Sequence, residues 1–333
     1  MRDWTVKRIK RNSNKRWKIT FSLIVAILIM FAVGPFVFRM ERLKQAKSDY
    51  NMRNVQDELQ WMDKYGGPLN KLALIIDTRL WLELNLGIKD VEQRLAAYQD
   101  EKHQLWLVIF NLQAENLTKA QNLLETMSSS PRKQLGKGVL ALAKGDAKQI
   151  REVLAKSEAD WQSMTRQEQC LRHLTLAQAA LLLEDNLSAK VELEVAQQLE
   201  PNNPACLSVA FDLAIAQGQR AKALELSQYI DNQTWRPQNS LYLTKRAVLA
   251  IHENNTLGLA DSLALLKELP QGDASINYLN GINALKKGQL QEGKILLELA
   301  LKSGLEGQVQ VDAQKALEQL SERQNADGVL RSL

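Results

Sequence analysis

The stretch from residue 281 to residue 300, GINALKKGQLQEGKILLELA, decides the fold because small, turn-forming and apolar residues recur in it at helical spacing. Gly281, Gly293 and Ala300 are small enough to let two helices approach closely. Gly288 permits a tight turn between those helices, and the leucines fill the space where they pack. The stretch therefore predicts two antiparallel helices joined by a short turn.

The same pattern recurs along the chain. Ala189 and Ala223 lie 34 residues apart, which is a common length for a helical repeat. From about residue 70 to residue 320, apolar residues recur at intervals of three and four, as helices require, without a convincing alternation of period two. Further copies of the pattern contain Ala189, Leu193, Ala196 and Pro201; Leu207, Ala210, Phe211, Ala214, Gly218 and Ala223; Ala114, Ala120, Leu123 and Leu124; and Gly138, Ala141, Gly145 and Asp146.

These repeats resemble the tetratricopeptide-repeat family over about residues 70–320. The resemblance implies an all-α fold, an α-solenoid of stacked helical hairpins. The chain departs from the family pattern at residues 238–270, in the short turn Asp185–Ser188, and in lacking the first-helix tryptophan. An irregular array of helical hairpins of another kind is the alternative. An aromatic share of 6% with only 7 Pro and 16 Gly in 333 residues disfavours a β-sandwich or barrel.

The positive charge of the chain is concentrated at its start. The whole chain has 43 basic and 38 acidic residues, a net charge of +5, and residues 1–18 hold eight of the basic residues against Asp3 alone. Residues 39–333 are slightly acidic as a result. The basic cluster is explained by membrane topology, although binding to anionic lipid or nucleic acid is an alternative.

An uncharged run, ITFSLIVAILIMFAVGPFVF, extends from Ile19 to Phe38. As a helix it would be about 30 Å long, enough to cross a bilayer. A buried core helix is one alternative, and a signal peptide cleaved after Gly34 is another that Pro35 disfavours. We expect an uncleaved signal-anchor. The eight preceding basic residues outnumber the four that follow, which places the N-terminus in the cytoplasm and the repeats in the periplasm or another extracytoplasmic space.

The predicted organisation has five parts. A basic cytoplasmic tail (1–18) precedes the transmembrane helix (19–38). A polar helical stalk (39–68), ended by Gly66, Gly67 and Pro68, leads to the repeat domain (69–320). Residues 321–333 are predicted to form a flexible C-terminal tail.

Motifs for catalysis and cofactor binding are weak. The segment from Gly288 to Lys294 matches most of a phosphate-binding loop, but Ile295 replaces the metal-binding Ser or Thr and no strand precedes it. The three histidines lie 70 and 79 residues apart. Cys170 and Cys206 either form a disulfide or remain buried thiols. We therefore predict a protein that is not an enzyme and has no cofactor or metal.

The predicted partner-binding site is the concave groove of the solenoid, which first helices line. Its positions carry few charges, so we expect an apolar or amphipathic segment of a partner protein to bind, with no nucleic acid and no small-molecule substrate. Packing of several of these leucines between helices is the alternative. The best candidates are Leu174, Gln178, Ser208, Asp212, Tyr278 and Ile282, beside Leu171, Leu181, Ala205, Ile215, Ser275 and Leu285.

The resemblance and the anchor together predict a membrane-bound scaffold or chaperone. Anchored members of the family commonly serve envelope-complex assembly, secretion or pilus biogenesis, and the resemblance implies that class of function. A non-catalytic regulatory subunit of a membrane enzyme complex is the competing prediction. A third is the inverted topology, in which the repeats form a cytosolic receptor domain.

Overall fold

A computed structural model of the chain describes residues 34–86, 88, 90–114, 116–155, 161–231, 240–269, 272–305 and 307–332. All regular secondary structure in these ranges is helical, which confirms the all-α prediction. The chain divides into two compact units after Leu86. The predicted tail (1–18) and residues 19–33 of the predicted span lie outside the described residues. Within the described ranges, no helix combines the length and the apolar character needed to cross a membrane.

The first unit shows that the predicted stalk (39–68) is not a single continuous helix. Helix α1 covers residues 34–48, α2 is Met52–Tyr65, a short 3-10 helix is Gly67–Lys71, and α3 is Ala73–Asn85. The chain reverses at Tyr50, whose φ is 52°, and the side chain of Asn51 caps α2 by accepting from the Asn54 N–H. Leu43, Val55 and Met62 are buried, so α1 and α2 pack as a hairpin.

The second unit is an array of helical hairpins. Each consists of a first and a second helix that pack together, and a short helix, α4 (Val91–Ala96), precedes the first hairpin. The hairpins are α5 (Glu101–Gln113) with α6 (Leu117–Thr126), α7 (Pro131–Ala143) with α8 (Ala147–Leu154), α9 (Arg166–Leu182) with α10 (Asn186–Leu199), α11 (Pro204–Ala216) with α12 (Arg220–Asp231), α13 (Ser240–His252) with α14 (Thr256–Lys267), and α15 (Gly272–Lys286) with α16 (Leu290–Lys302). Helix α17 (Gly307–Ser332) follows the sixth hairpin.

The turns inside the second to sixth hairpins share one geometry. Each contains a residue with positive φ, and the N–H of the next residue bonds to the carbonyl of an alanine near the end of the first helix, as in a Schellman motif. In the sixth hairpin, Gly288 has φ 80° and the Gln289 N–H donates to the Ala284 carbonyl at 2.9 Å. The residues with positive φ are Gly145, Glu184, Gly218, Asn254 and Gly288, and the accepting alanines are Ala141, Ala180, Ala214, Ala250 and Ala284.

Close helix approach in the sixth hairpin rests on two facing glycines. A Cβ added at Gly293 would lie 2.4 Å from a methyl carbon of Leu285 and 3.2 Å from the Gly281 carbonyl oxygen. A Cβ added at Gly281 would in turn lie 3.0 Å from Leu297. Ala300 is fully buried. The structure therefore confirms the hairpin predicted from residues 281–300.

Two segments that fitted the repeat pattern poorly or were predicted to be flexible are helical. Residues 238–270, which depart from the family spacing, contain the hairpin α13–α14, and Asn254 supplies its left-handed turn residue in place of glycine. The predicted flexible tail (321–333) is helical through Ser332, because α17 continues beyond Leu320 without interruption. Leu320 itself is buried.

Candidate partner-binding face

The candidate face is formed by the first helices of the hairpins, most of which contact the first helix of the next hairpin. Helix α5 contacts α7, α7 contacts α9, α9 contacts α11, and α13 contacts α15. A bidentate ion pair between Arg132 and Glu168 joins α7 to α9. Arg132 Nε lies 2.6 Å from one carboxylate oxygen of Glu168, and a terminal guanidinium nitrogen lies 3.0 Å from the other. Glu168 is buried, and its carboxylate also accepts from the Thr165 N–H in a capping box. These contacts join the first helices of the first four hairpins, and an ion pair between Asp212 and Lys245 links α11 to α13.

Three of the six predicted groove residues pack against apolar side chains in the interior of the array. Leu174 is only 3% exposed and Tyr278 only 5% exposed. Tyr278 shares its apolar cluster with Val309 and Ala313 of α17, and half-buried Ile282 packs against the same cluster. Burial, and to a smaller extent the charge of Asp312, raises the pKa of the Tyr278 phenol. Leu174 and Tyr278 are therefore not surface contacts, because neighbouring helices cover them.

The other three predicted residues are polar and half-buried. Gln178 lies on α9 and Ser208 on α11, two helices that contact each other. Asp212 forms an ion pair with Lys245 of α13, with a distance of 2.9 Å between Oδ1 and Nζ. Its carboxylate therefore helps to join the fourth and fifth hairpins. Gln178 and Ser208 are therefore half-buried polar residues on two contacting first helices.

The junction between the fourth and fifth hairpins is polar. Arg246 on α13 places its guanidinium 2.8 Å from Asp231 of α12 and 2.9 Å from Asp261 of α14. It also donates to the Ser262 hydroxyl at 2.8 Å. The Arg246 side chain is only 12% exposed, so the two carboxylates compensate a largely buried charge. This cluster is explained by the packing of hairpins and needs no ligand.

Two of the three histidines, His103 and His173, have structural partners. His103 Nδ1 lies 2.6 Å from Asp100 Oδ2, and its ring stacks on Tyr98 at 4.3 Å. His173 Nδ1 lies 2.7 Å from Glu192 Oε2. Within the described ranges, no three His, Cys, Asp or Glu side chains are grouped as metal ligands.

The segment resembling a phosphate-binding loop forms the turn of the sixth hairpin. Gly288 supplies the left-handed residue, and Gly293 lies inside α16 against α15. A phosphate-binding loop instead joins a strand to a helix, and here helix α15 precedes the turn. Both glycines are thus explained by the hairpin.

Cys170 and Cys206 are free, buried thiols in this structure. The Cys170 sulfur accepts from the Asn203 side-chain amide at 3.5 Å, and the Cys206 thiol donates to the Glu200 carbonyl at 3.9 Å. Both therefore lie beneath the connection from α10 to α11. A hydrogen bond with Cys206, together with burial, raises the pKa of the Cys170 thiol, which disfavours its reactive thiolate form.

The prediction from sequence missed a second group of accessible apolar residues, on second helices. Leu187 and Val191 of α10 are 76% and 52% exposed, and Ile295 and Leu299 of α16 are 63% and 45% exposed. Each pair is separated by four residues, so its members lie on one side of a helix. The signal was present in α10, because both residues fall outside the stripe of Ala189, Leu193 and Ala196 that packs inward.

Comparison with known proteins concerns the fold. No protein-family profile matches the chain, and no curated protein sequence matches it. Among solved structures, it resembles a chain in the crystal structure of the APC/C hetero-tetramer Cut9–Hcn1, with a TM-score of 0.52 and 14% sequence identity. The match covers 81% of this chain and 52% of that one, so this chain spans about half the length of the protein it matches.

The neighbour Cut9 contains tetratricopeptide repeats. The likeness and the succession of hairpins confirm that this chain has TPR-like helical repeats.

Proposed function

We propose that this chain is a membrane-anchored TPR-like scaffold or chaperone. It binds protein partners at the extracytoplasmic face of a cytoplasmic membrane, where it serves envelope-complex assembly, secretion or pilus biogenesis. The observation that carries the proposal is the run of contacting first helices α5, α7, α9 and α11, which the Asp212–Lys245 ion pair joins to α13. Stacked hairpins of this kind present extended surfaces that suit a peptide or a partner helix.

The proposed location rests on the N-terminal sequence. Eight basic residues precede the uncharged run Ile19–Phe38, whereas Arg39, Arg42, Lys44 and Lys47 follow it. The side with more positive charge stays in the cytoplasm. The repeats then lie on the opposite side of the membrane, where exported proteins and envelope complexes are the available partners.

The proposed contact surface is centred on Gln178 and Ser208. Both are half-buried polar residues on contacting first helices. Ile215, near the end of α11, is 38% exposed and adds an apolar contact. An amphipathic partner segment matches this combination. The apolar side chains of the segment contact Ile215, while the Gln178 amide and the Ser208 hydroxyl form hydrogen bonds with its polar atoms.

Site-specific photo-crosslinking in intact membranes tests the proposal. A photoreactive residue replaces Gln178 or Ser208, and the same residue at exposed Glu225 of second helix α12 serves as the control. We expect protein adducts from the two first-helix positions that are weaker or absent from position 225. Adducts from all three positions alike, or from none, would contradict a binding site on the first helices.

The identity of the captured proteins separates the possible roles. Many exported proteins in low yield indicate a chaperone, and a fixed set of envelope components indicates a scaffold. One catalytic membrane protein in stoichiometric yield would support the regulatory subunit instead. Exclusively cytosolic proteins would support the inverted topology.

A further inference from the structure

An apolar and aromatic collar occupies one end of the first unit. It consists of Val37, Phe38, Tyr65, Leu69 and Leu72, all exposed to solvent. Phe38 and Tyr65 expose 62% and 60% of their surface, and Val37 exposes 53%. Large apolar side chains gathered at one end of a small helical unit indicate a surface that contacts something other than water.

The hairpin geometry explains why these residues share one end. Arg39 of α1 lies 3.0 Å from Glu58 of α2, and its guanidinium lies 5.2 Å from the centre of the Trp61 ring. Because α1 and α2 are antiparallel, the start of α1, with Val37 and Phe38, lies beside the last turn of α2.

Helix α3 returns from the same end. Arg79 of α3 bonds to Asp63 near the end of α2, and the Trp81 ring lies 5.5 Å from Tyr50 at the opposite end of the hairpin. The start of α3 and the 3-10 helix before it therefore lie at the collar end. This arrangement brings Leu69 and Leu72 to the collar.

The collar combines aromatic and basic side chains. The rings of Trp61 and Tyr65 are 5.3 Å apart, and the Lys64 ammonium lies 5.1 Å from the Tyr65 ring. Arg39 covers Trp61 in the same manner. Tyr and Trp are enriched where a membrane protein meets the headgroup layer, and Lys and Arg place their charges among the headgroups while their methylene groups remain in apolar surroundings.

The chain itself indicates what covers the collar. The uncharged run Ile19–Phe38 ends within the collar, because its last two residues, Val37 and Phe38, are collar residues. We propose that the collar lies in the headgroup layer of the lipid bilayer, so that the first unit rests on the membrane surface. The opposite end of its hairpin, with Ser48, then points into water. This inference rests on the proposed membrane anchor and adds a lipid contact for Tyr65 and Leu69.

Spin labels on the full-length chain in phosphatidylcholine–phosphatidylglycerol vesicles test the collar. Cys170→Ala and Cys206→Ala remove the native thiols, and single cysteines are then introduced as Tyr65→Cys, Leu69→Cys, Ser48→Cys and Ala26→Cys. Ser48 is an exposed residue at the end of α1, about 15 Å along the helix from Phe38. Relaxation of each label by lipid-soluble oxygen is compared with relaxation by a water-soluble nickel chelate. The melting profile of each variant is compared with that of the unmodified chain, and only variants that retain it are labelled.

We expect the labels at 65 and 69 to be relaxed more by oxygen than by nickel, and the label at 48 to show the reverse. The label at 26 should show the strongest preference for oxygen. If 26 prefers oxygen while 65 and 69 match 48, the anchor stands and the collar proposal fails. If 26 also prefers nickel, the membrane anchor itself fails. Labels at 65 and 69 that are shielded from both reagents would show that protein covers the collar, and this too would overturn the proposal.

Discussion

Lys315 and Glu184, which are 131 positions apart in the sequence, form an ion pair of 3.0 Å. The pair joins α17 to the turn of the third hairpin, across three intervening hairpins. Both side chains are exposed, so the pair contributes little to stability. Its importance is geometric, because it brings the last described helix back to the middle of the array.

A crosslink at this pair tests that arrangement. In a chain carrying Cys170→Ala and Cys206→Ala, we expect Glu184→Cys and Lys315→Cys to react with one short bismaleimide, because the two native side chains meet. Gln314→Cys, paired with Glu184→Cys, is the control, since one residue along a helix turns the side chain by about 100°. The crosslinked and free chains are separated by gel mobility. Equal crosslinking of the two pairs would contradict the described contact.

A bulkier residue at Gly293 should destabilise the sixth hairpin. An added Cβ there already lies 2.4 Å from Leu285, so Gly293→Val should cost about 1–3 kcal/mol through overpacking. Gln291→Val, at an exposed position of the same helix, controls for the effect of valine on helix propensity. Urea unfolding followed by circular dichroism measures both variants. Equal midpoints would show that α15 and α16 do not approach at Gly293.

Substitution of Gly288 should reveal the left-handed turn. Its φ is 80°, and an added Cβ would meet no atom within 4 Å, so any cost comes from the backbone. Gly288→Ala should lower stability by about 1–2 kcal/mol. Gly288→Asn should cost less, because asparagine tolerates this conformation, as Asn254 does at φ 56° in the fifth hairpin. Urea midpoints that are the same for both variants would refute this account of the turn.

His252 should make the repeat unit less stable in mild acid. Burial, with the nearby charges of Arg220 and Lys286, lowers the pKa of His252 below its ordinary value of 6.5, although Glu253 opposes the shift. As the pH falls below 6.5, the unfolded chain takes up this proton before the folded chain does, so stability is lost. Well above pH 6.5 His252 is neutral in both the folded and the unfolded chain and has no effect on stability.

Replacement of His252 by glutamine isolates this effect. We expect the denaturation midpoint to fall less in His252→Gln than in the unmodified chain between about pH 7.5 and about pH 5.5. His103 and His173 are present in both chains, so their contributions cancel in the comparison. An identical fall in both chains would show that His252 is not the group responsible.

The sequence predicted the helical hairpins more accurately than it predicted which side chains are exposed on them. Gly281, Gly288 and Gly293 identify the sixth hairpin because close packing and a tight turn need small residues. The fifth hairpin was harder to identify, since Asn254 replaces the turn glycine. The alanines that accept the turn hydrogen bond would have given a better repeat signal than the glycines, because Ala180 and Ala250 persist where the glycine is lost.

The groove was harder to predict because helical spacing does not determine what covers a helix face. Leu174 and Tyr278 occupy the expected positions on their first helices, yet neighbouring helices bury them. Tyr278 lies against α17, part of which was predicted to be a flexible tail. The hairpin of α1 and α2 was missed for a related reason. The reversal at Tyr50 involves no glycine or proline, so no turn signal divided the predicted stalk.

The central claim is that the chain is anchored in a cytoplasmic membrane with its repeats on the extracytoplasmic side. Reporter fusions after Leu86, the end of the first compact unit, test it most directly. Alkaline phosphatase is active only outside the cytoplasm. Green fluorescent protein fluoresces only when it stays in the cytoplasm, because it does not become fluorescent after export through the general secretory route. The account predicts phosphatase activity without fluorescence, in the membrane fraction. Fluorescence without phosphatase activity would contradict it.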